Sequence, residues 1–131
     1  MSDYNFAGRS NSVKVKDIEG LQESLKHFGH LWVYPEDDKY YISAENYDAF
    51  FQNSYNDETD EEIELDPDIH IIPFLEDGEI LIVMEISNCK LRDIYGFAGA
   101  WMKGKKRLHI DLDQIHGLIE REWNTDSYNS F

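Results

Sequence analysis

The chain predicts an α+β fold: a single domain in which a mostly antiparallel sheet carries two main helices packed on one face. Three observations lead there. Strand-like segments outnumber helical ones and fall in neighbouring pairs, which favours antiparallel pairing over the long crossovers of a parallel sheet. One segment, Ile80-Leu81-Ile82-Val83-Met84, is apolar without alternation, the pattern of a strand covered on both faces. Two further segments, one near each end, space apolar residues by three and four, as a helix does. At 131 residues the chain buries roughly two-thirds of the surface its unfolded form exposes. Its 41% of hydrophobic residues supply a core without a staple.

Taken in order, residues 1–12 are polar and aperiodic and predict a mobile tail. The domain then covers 13–123. Val13 and Val15 make a short strand. Asp17 caps a helix whose stripe is Ile18, Leu21, Leu25 and Phe28, with Gly29 as its C′ residue. Leu31–Tyr34 and Tyr40–Ser43 form a hairpin, turned by Pro35-Glu36-Asp37-Asp38. Phe50, Phe51 and Tyr55 fit a second hairpin with Ile63–Leu65, although Tyr47, Phe50, Phe51 and Tyr55 also fit a helical stripe.

Asp66-Pro67-Asp68 opens one or two helical turns that end before Glu76-Asp77-Gly78; the rival reading of the β-branched Ile69-His70-Ile71-Ile72 is a strand that Asp77-Gly78 turns into the apolar strand. The apolar strand follows, then a connector from Ser87 to Arg92. Tyr95 to Met102 is a strand with Tyr95, Phe97 and Trp101 on one face. Gly96, Ala98, Ala100 and Met102 take the other, where the small residues leave room for something to pack closely, most simply a helix. After a Lys103-Gly104 turn, Lys106 to Ile110 is a strand whose Leu108 and Ile110 continue the buried face. Asp111 and Gln114 form a capping box for a helix from about Leu112 to Trp123, striped by Leu112, Ile115, Ile119 and Trp123. Residues 124–131 are a tail.

Charge narrows the function classes. The net charge is −15. Between Glu36 and Glu79 stand 16 acids and one base, Lys39, whereas the remainder holds 11 of each. The whole excess lies in the middle third. Such a field repels nucleic acid and anionic lipid and attracts basic surfaces. With one cysteine, Cys89, no internal disulfide forms. No signal-like opening and no membrane-length apolar run is present, so a cytoplasmic setting is expected.

The chemistry-bearing constellations are thin. His27 and His30 are spaced for a shared metal on a helix, but Gly29 interrupts them and no third ligand stands near, so no metal and no cofactor is expected. Asp57 to Glu62 fails the calcium-loop pattern, for want of a turning glycine. Gly96-Phe97-Ala98-Gly99 lacks the ending of a phosphate loop. Lys103, Lys105, Lys106 and Arg107 form a basic cluster on a hairpin, where positive charge blocks edge pairing. Cys89 reads as a small apolar residue. The catalytic candidates are Glu85, which burial would turn into an acid or base, and the group His109, Asp111, Asp113 and His116. A helix-cap role explains Asp111 better than catalysis does.

The leading expectation is therefore a small acidic interaction protein. It binds a basic or nucleic-acid-handling protein partner through the segment 36–79, with inhibition as one outcome, in the manner of an immunity protein or a DNA mimic. Tyr40, Tyr47, Phe51 and Tyr55 are its aromatic anchors, joined by Tyr34, Tyr41 and Phe50. Asp57, Glu58, Asp60, Glu61 and Glu62 supply its charge. The alternatives are a small hydrolase, which requires a pocket holding at least two of the catalytic candidates, and a homo-oligomeric regulatory or structural domain. A homodimer is compatible with the sequence.

Overall fold

In the computed structural model, which describes residues 4–45, 48–52, 54–56, 59, 61–89 and 93–125, the α+β architecture is realised as a six-stranded antiparallel sheet. The first strand is β1, Tyr4–Ser10. Asp17 caps α1, Ile18–Leu25, accepting from the Gly20 amide at 2.9 Å. The hairpin of β2 (Leu31–Glu36) and β3 (Lys39–Ala44) turns tightly at Asp37, which adopts φ 58°, a left-handed conformation that aspartate tolerates better than most residues.

A small separate hairpin joins β4 (Ser54–Asn56) to β5 (Glu61–Ile63), with Phe50 and Phe51 just ahead of it. Asp66 then caps α2, Pro67–His70, accepting from the Asp68 amide at 3.0 Å, and a 3₁₀ turn, Ile72–Phe74, follows. The long strands β6 (Leu81–Cys89) and β7 (Asp93–Trp101), the short β8 (Leu108–Asp111) and α3 (Gln114–Trp123) complete the chain. The strand order is β2-β3-β1-β6-β7-β8.

Register decides which side chains meet. Gly8 pairs with Glu85, Glu85 with Phe97, and Phe97 with Asp111. Ser10, Val83 and Gly99 form the next row. These residues point to one face, called inner here. Leu81, Val83 and Trp101 join α1 (Leu21, Leu25), Phe28, Ile42, Phe50 and the α2 region (Ile71, Ile72, Leu75) in one core under that face. Alternate residues, among them Met84 and Ile86, point to the outer face.

Several expectations need correction. The predicted N-terminal tail is largely β1, lying between β3 and β6 in the middle of the sheet. Of its inward positions Phe6, Gly8 and Ser10, the last two are small or polar, so the apolar alternation breaks off after Phe6. The predicted connector from Ser87 is strand as far as Cys89, while Lys90 to Arg92 lie outside the described residues. Helix α1 stops at Leu25 with Lys26 as its cap, so Gly29 is not its C′ residue.

The apolar run is covered on one face only: Leu81 and Val83 are fully buried, whereas Ile80 and Met84 are exposed. Leu108 and Ile110 are exposed rather than part of a buried face. Only α1 of the two main helices enters the core, and α3 buries no residue. In the C-terminal tail, Asn124 and Thr125 are exposed and the rest lies outside the described residues.

Ser10 ties two strands together. Its buried hydroxyl accepts from the Ile42 amide at 2.8 Å and donates to the Asn11 carbonyl at 2.9 Å. Ser10→Ala leaves the Ile42 donor unsatisfied and should cost about 1–3 kcal/mol. Urea unfolding of the variant checks this; an unchanged midpoint would refute it.

Candidate functional site

Glu85 occupies the inner face of β6, 4% exposed. A carboxylate so placed requires donors. It receives them from the chain ahead of β4: the Phe50 amide donates to its Oε1, and the Phe51 amide donates as well. Gly8, across the strand pair, makes this approach possible, because a Cβ there would stand 3.0 Å from the Phe50 Cβ. His30 completes the clamp, its Nε2 lying 2.9 Å from the Phe50 carbonyl oxygen. A nitrogen bonded to that oxygen must carry its proton, so His30 donates to the backbone through Nε2. Burial pushes the Glu85 carboxyl above the usual carboxylate range; the two amides and the nearby His30 oppose that shift.

The clamp places Phe51 over the sheet. Its ring lies 5.5 Å from both Phe97 and Trp101, and 5.1 Å from Phe50. Phe97 in turn meets Tyr95 at 5.9 Å and His109 at 5.6 Å. Gly99 lets the Trp101 ring lie flat along the strand, for a Cβ there would meet the ring at 2.5 Å.

Between this aromatic row and the start of α2 opens a cavity of about 590 Å³. Phe51, Tyr95, Phe97 and Trp101 line it, with the acids Glu64, Asp66, Asp68 and Glu85; Arg107 and His109 stand on the β8 side. The Tyr95 hydroxyl records the local field. Burial raises its pKa, and Glu85, Asp111 and Asp113 raise it further.

The structure brings together some predicted residues and separates others. Glu85 and His109 share the cavity, and so does Phe51. Asp111 exchanges bonds with Gln114, amide to side chain in both directions at 3.1 Å, which is the predicted capping box. Asp113 precedes α3 and His116 lies on it, and neither lines the cavity. The four-residue group is therefore not a unit.

Of the partner-binding set, Tyr47, Asp57, Glu58 and Asp60 lie outside the described residues. Tyr55 falls on β4 opposite Glu62, and Glu61 and Glu62 are exposed. Tyr40 is half-buried on β3. Tyr34 and Tyr41 stack at 5.3 Å on the outer face, and Phe50 is fully buried, so these three belong to other surroundings than the cavity.

Sequence reasoning did not single out Glu64, Asp66, Asp68, Phe97, Trp101 or Arg107 as site residues. The inward grouping of Tyr95, Phe97 and Trp101 was the available signal. Among the described residues no group of three His, Cys, Asp or Glu side chains is arranged to hold a metal, and no helix is long and apolar enough to cross a membrane.

The fold and its cavity thus define a small α+β protein with an acidic, aromatic-walled pocket on the inner sheet face. No protein-family model matches the chain, and no curated protein or solved structure matches it either.

The raised Glu85 pKa has a direction in stability. The folded state holds this proton to higher pH than the unfolded chain does, so folding becomes less favourable as pH rises from the ordinary carboxylate value through the raised one. Glu85→Gln keeps an acceptor oxygen and cannot ionise. Urea titrations between about pH 4 and pH 8 should show the stability difference moving in favour of Glu85→Gln as pH rises. Parallel curves for the two proteins would show that burial does not perturb the group.

Proposed function

We propose that this protein binds a basic protein partner and that the cavity receives one of the partner's lysine or arginine side chains. The observation that carries the reading is the composition of the cavity wall. Four carboxylate residues and four aromatic rings converge on one space, against one arginine. Ring faces and carboxylates both favour a cation.

The acidic segment supplies one wall through Phe51, Glu64, Asp66 and Asp68. Its remaining carboxylates steer the partner towards the opening. Inhibition of the partner follows where its basic surface is the one it works with. The same field disfavours direct contact with nucleic acid or anionic membrane. A cytoplasmic setting belongs to this proposal and rests on the single cysteine.

A second reading is favoured by one observation, the presence of Glu85 and His109 in the same cavity. A carboxyl with a raised pKa and an imidazole on the wall of one cavity are the two groups that general acid–base chemistry would need. In that case a chromogenic ester or phosphoester would be turned over, and both Glu85→Gln and His109→Ala would abolish the turnover.

Calorimetry with an arginine-rich peptide separates these readings. The protein should bind it at low salt and lose affinity as salt rises. The double variant Glu64→Gln/Asp68→Asn should bind about three- to tenfold more weakly, in keeping with two exposed charge pairs. Capture from a lysate by the variant with Asn or Gln at positions 57, 58, 60, 61 and 62 tests the steering segment. Equal peptide affinity for the protein and the double variant would sink the cavity reading.

A further inference from the structure

We infer that the outer face of the sheet, together with the apolar stripe of α3, is the interface of a homodimer. The inference stands independently of the cavity, which opens on the inner face. The starting point is a mismatch between pattern and burial. Residues 80–84 carry no alternation, as in a strand whose two faces are both covered, yet this chain covers only one.

Met84 and Ile86 on β6 are 61% and 62% exposed, and Leu108 and Ile110 on β8 are 69% and 62% exposed. Between them β7 presents Gly96, Ala98 and Ala100, a low lane with taller apolar walls on either side. Among the described outward positions of β1, β6, β7 and β8 the one charged residue is Arg9, which lies over the Tyr41 ring at 4.2 Å. A protein with a net charge of −15 carries no acid at these positions, and Glu45, just past β3, lines one groove with Arg9, Met84 and Ile86.

The second half of the mismatch is α3. It is amphipathic, has ten residues and buries none of them. Helices of that length are marginal in water unless their apolar face is packed. Ile115, Leu118 and Trp123 are exposed. Leu112, which leads into the helix, lies against Gly96 on the outer face, 3.0 Å from where a Cβ would be. The stripe and the open sheet face are thus joined at one point, and each lacks what the other offers. The stripe brings large side chains and the lane between the strands is low.

A two-fold axis satisfies both at once, since each copy presents the same patch to the other. Face and stripe together expose eight large apolar side chains per copy, and a pair of copies would cover both sets at once.

Sedimentation and light scattering across a range of protein concentrations test the inference. The protein should run as a dimer at micromolar concentration, and added salt should leave the dimer unchanged or strengthen it, because apolar contact drives it and net charge opposes it. Met84→Lys/Ile86→Glu should give a monomer with an unchanged far-ultraviolet spectrum outside the α3 contribution. Leu118→Glu/Trp123→Glu should raise the dissociation constant at least tenfold, leaving the sheet intact. A protein monomeric at 100 µM, or a dimer indifferent to both variants, would overturn the inference. So would a monomer that floats with phosphatidylcholine vesicles, which would assign the face to lipid.

Discussion

The arrangement depends on one buried carboxylate. Glu85 sits in the middle of the sheet, where an unpaired charge would be costly, and its donors are backbone amides from a segment remote in the chain. The bond therefore fixes a piece of chain rather than a side chain. Once Phe50 is held from below by Glu85 and from the side by His30, the Phe50 ring closes the core and Phe51 is left on the other side of the peptide, facing Phe97 and Trp101. The cavity is what lies beyond Phe51. Core closure and pocket formation are thus two results of the same clamp, and the sheet supplies the room for it by placing glycine at position 8.

The two faces of the sheet are chemically opposite. The inner one is closed over most of its area by α1, α2 and the clamped segment, and it opens only where acids and aromatics gather. The outer one is apolar and exposed across β6, β7 and β8, and turns polar across β1, β3 and β2, where Arg9 lies over Tyr41 and Tyr34 donates to Glu45. A net charge of −15 distributed evenly would blur this contrast. It is confined instead to the middle third of the chain. The two proposed occupants, a cationic side chain and a second copy of the chain, would lie on opposite faces and so would not compete.

Much of this was legible in the residues. Capping chemistry located α1, α2 and α3, because a cap is a local bond between neighbours in the chain; the Asp111–Gln114 exchange is the clearest case. The inward set of Tyr95, Phe97 and Trp101 followed from the period of two. Register did not follow, and it is register that puts Glu85 beside Phe97 and so turns scattered candidates into a cavity. The clamp was also invisible, since backbone amides carry no signature in the side chains around them. The continuous apolar run was read as doubly covered, and its outer side is bare in a single chain.

The first strand carries a consequence for the way the molecule comes together. Ala7 pairs with Ile86, so β1 gains its main neighbour only after most of the sequence has been made. Until then the edge of β1 that β6 will take stands open in water, and a wholly apolar segment in that position would invite association with other unfinished chains. Residues such as Asn5, Gly8, Arg9 and Ser10 are well suited to that wait. The polarity that disguises the strand also lets a nascent polypeptide carry it safely from the ribosome to its place in the sheet.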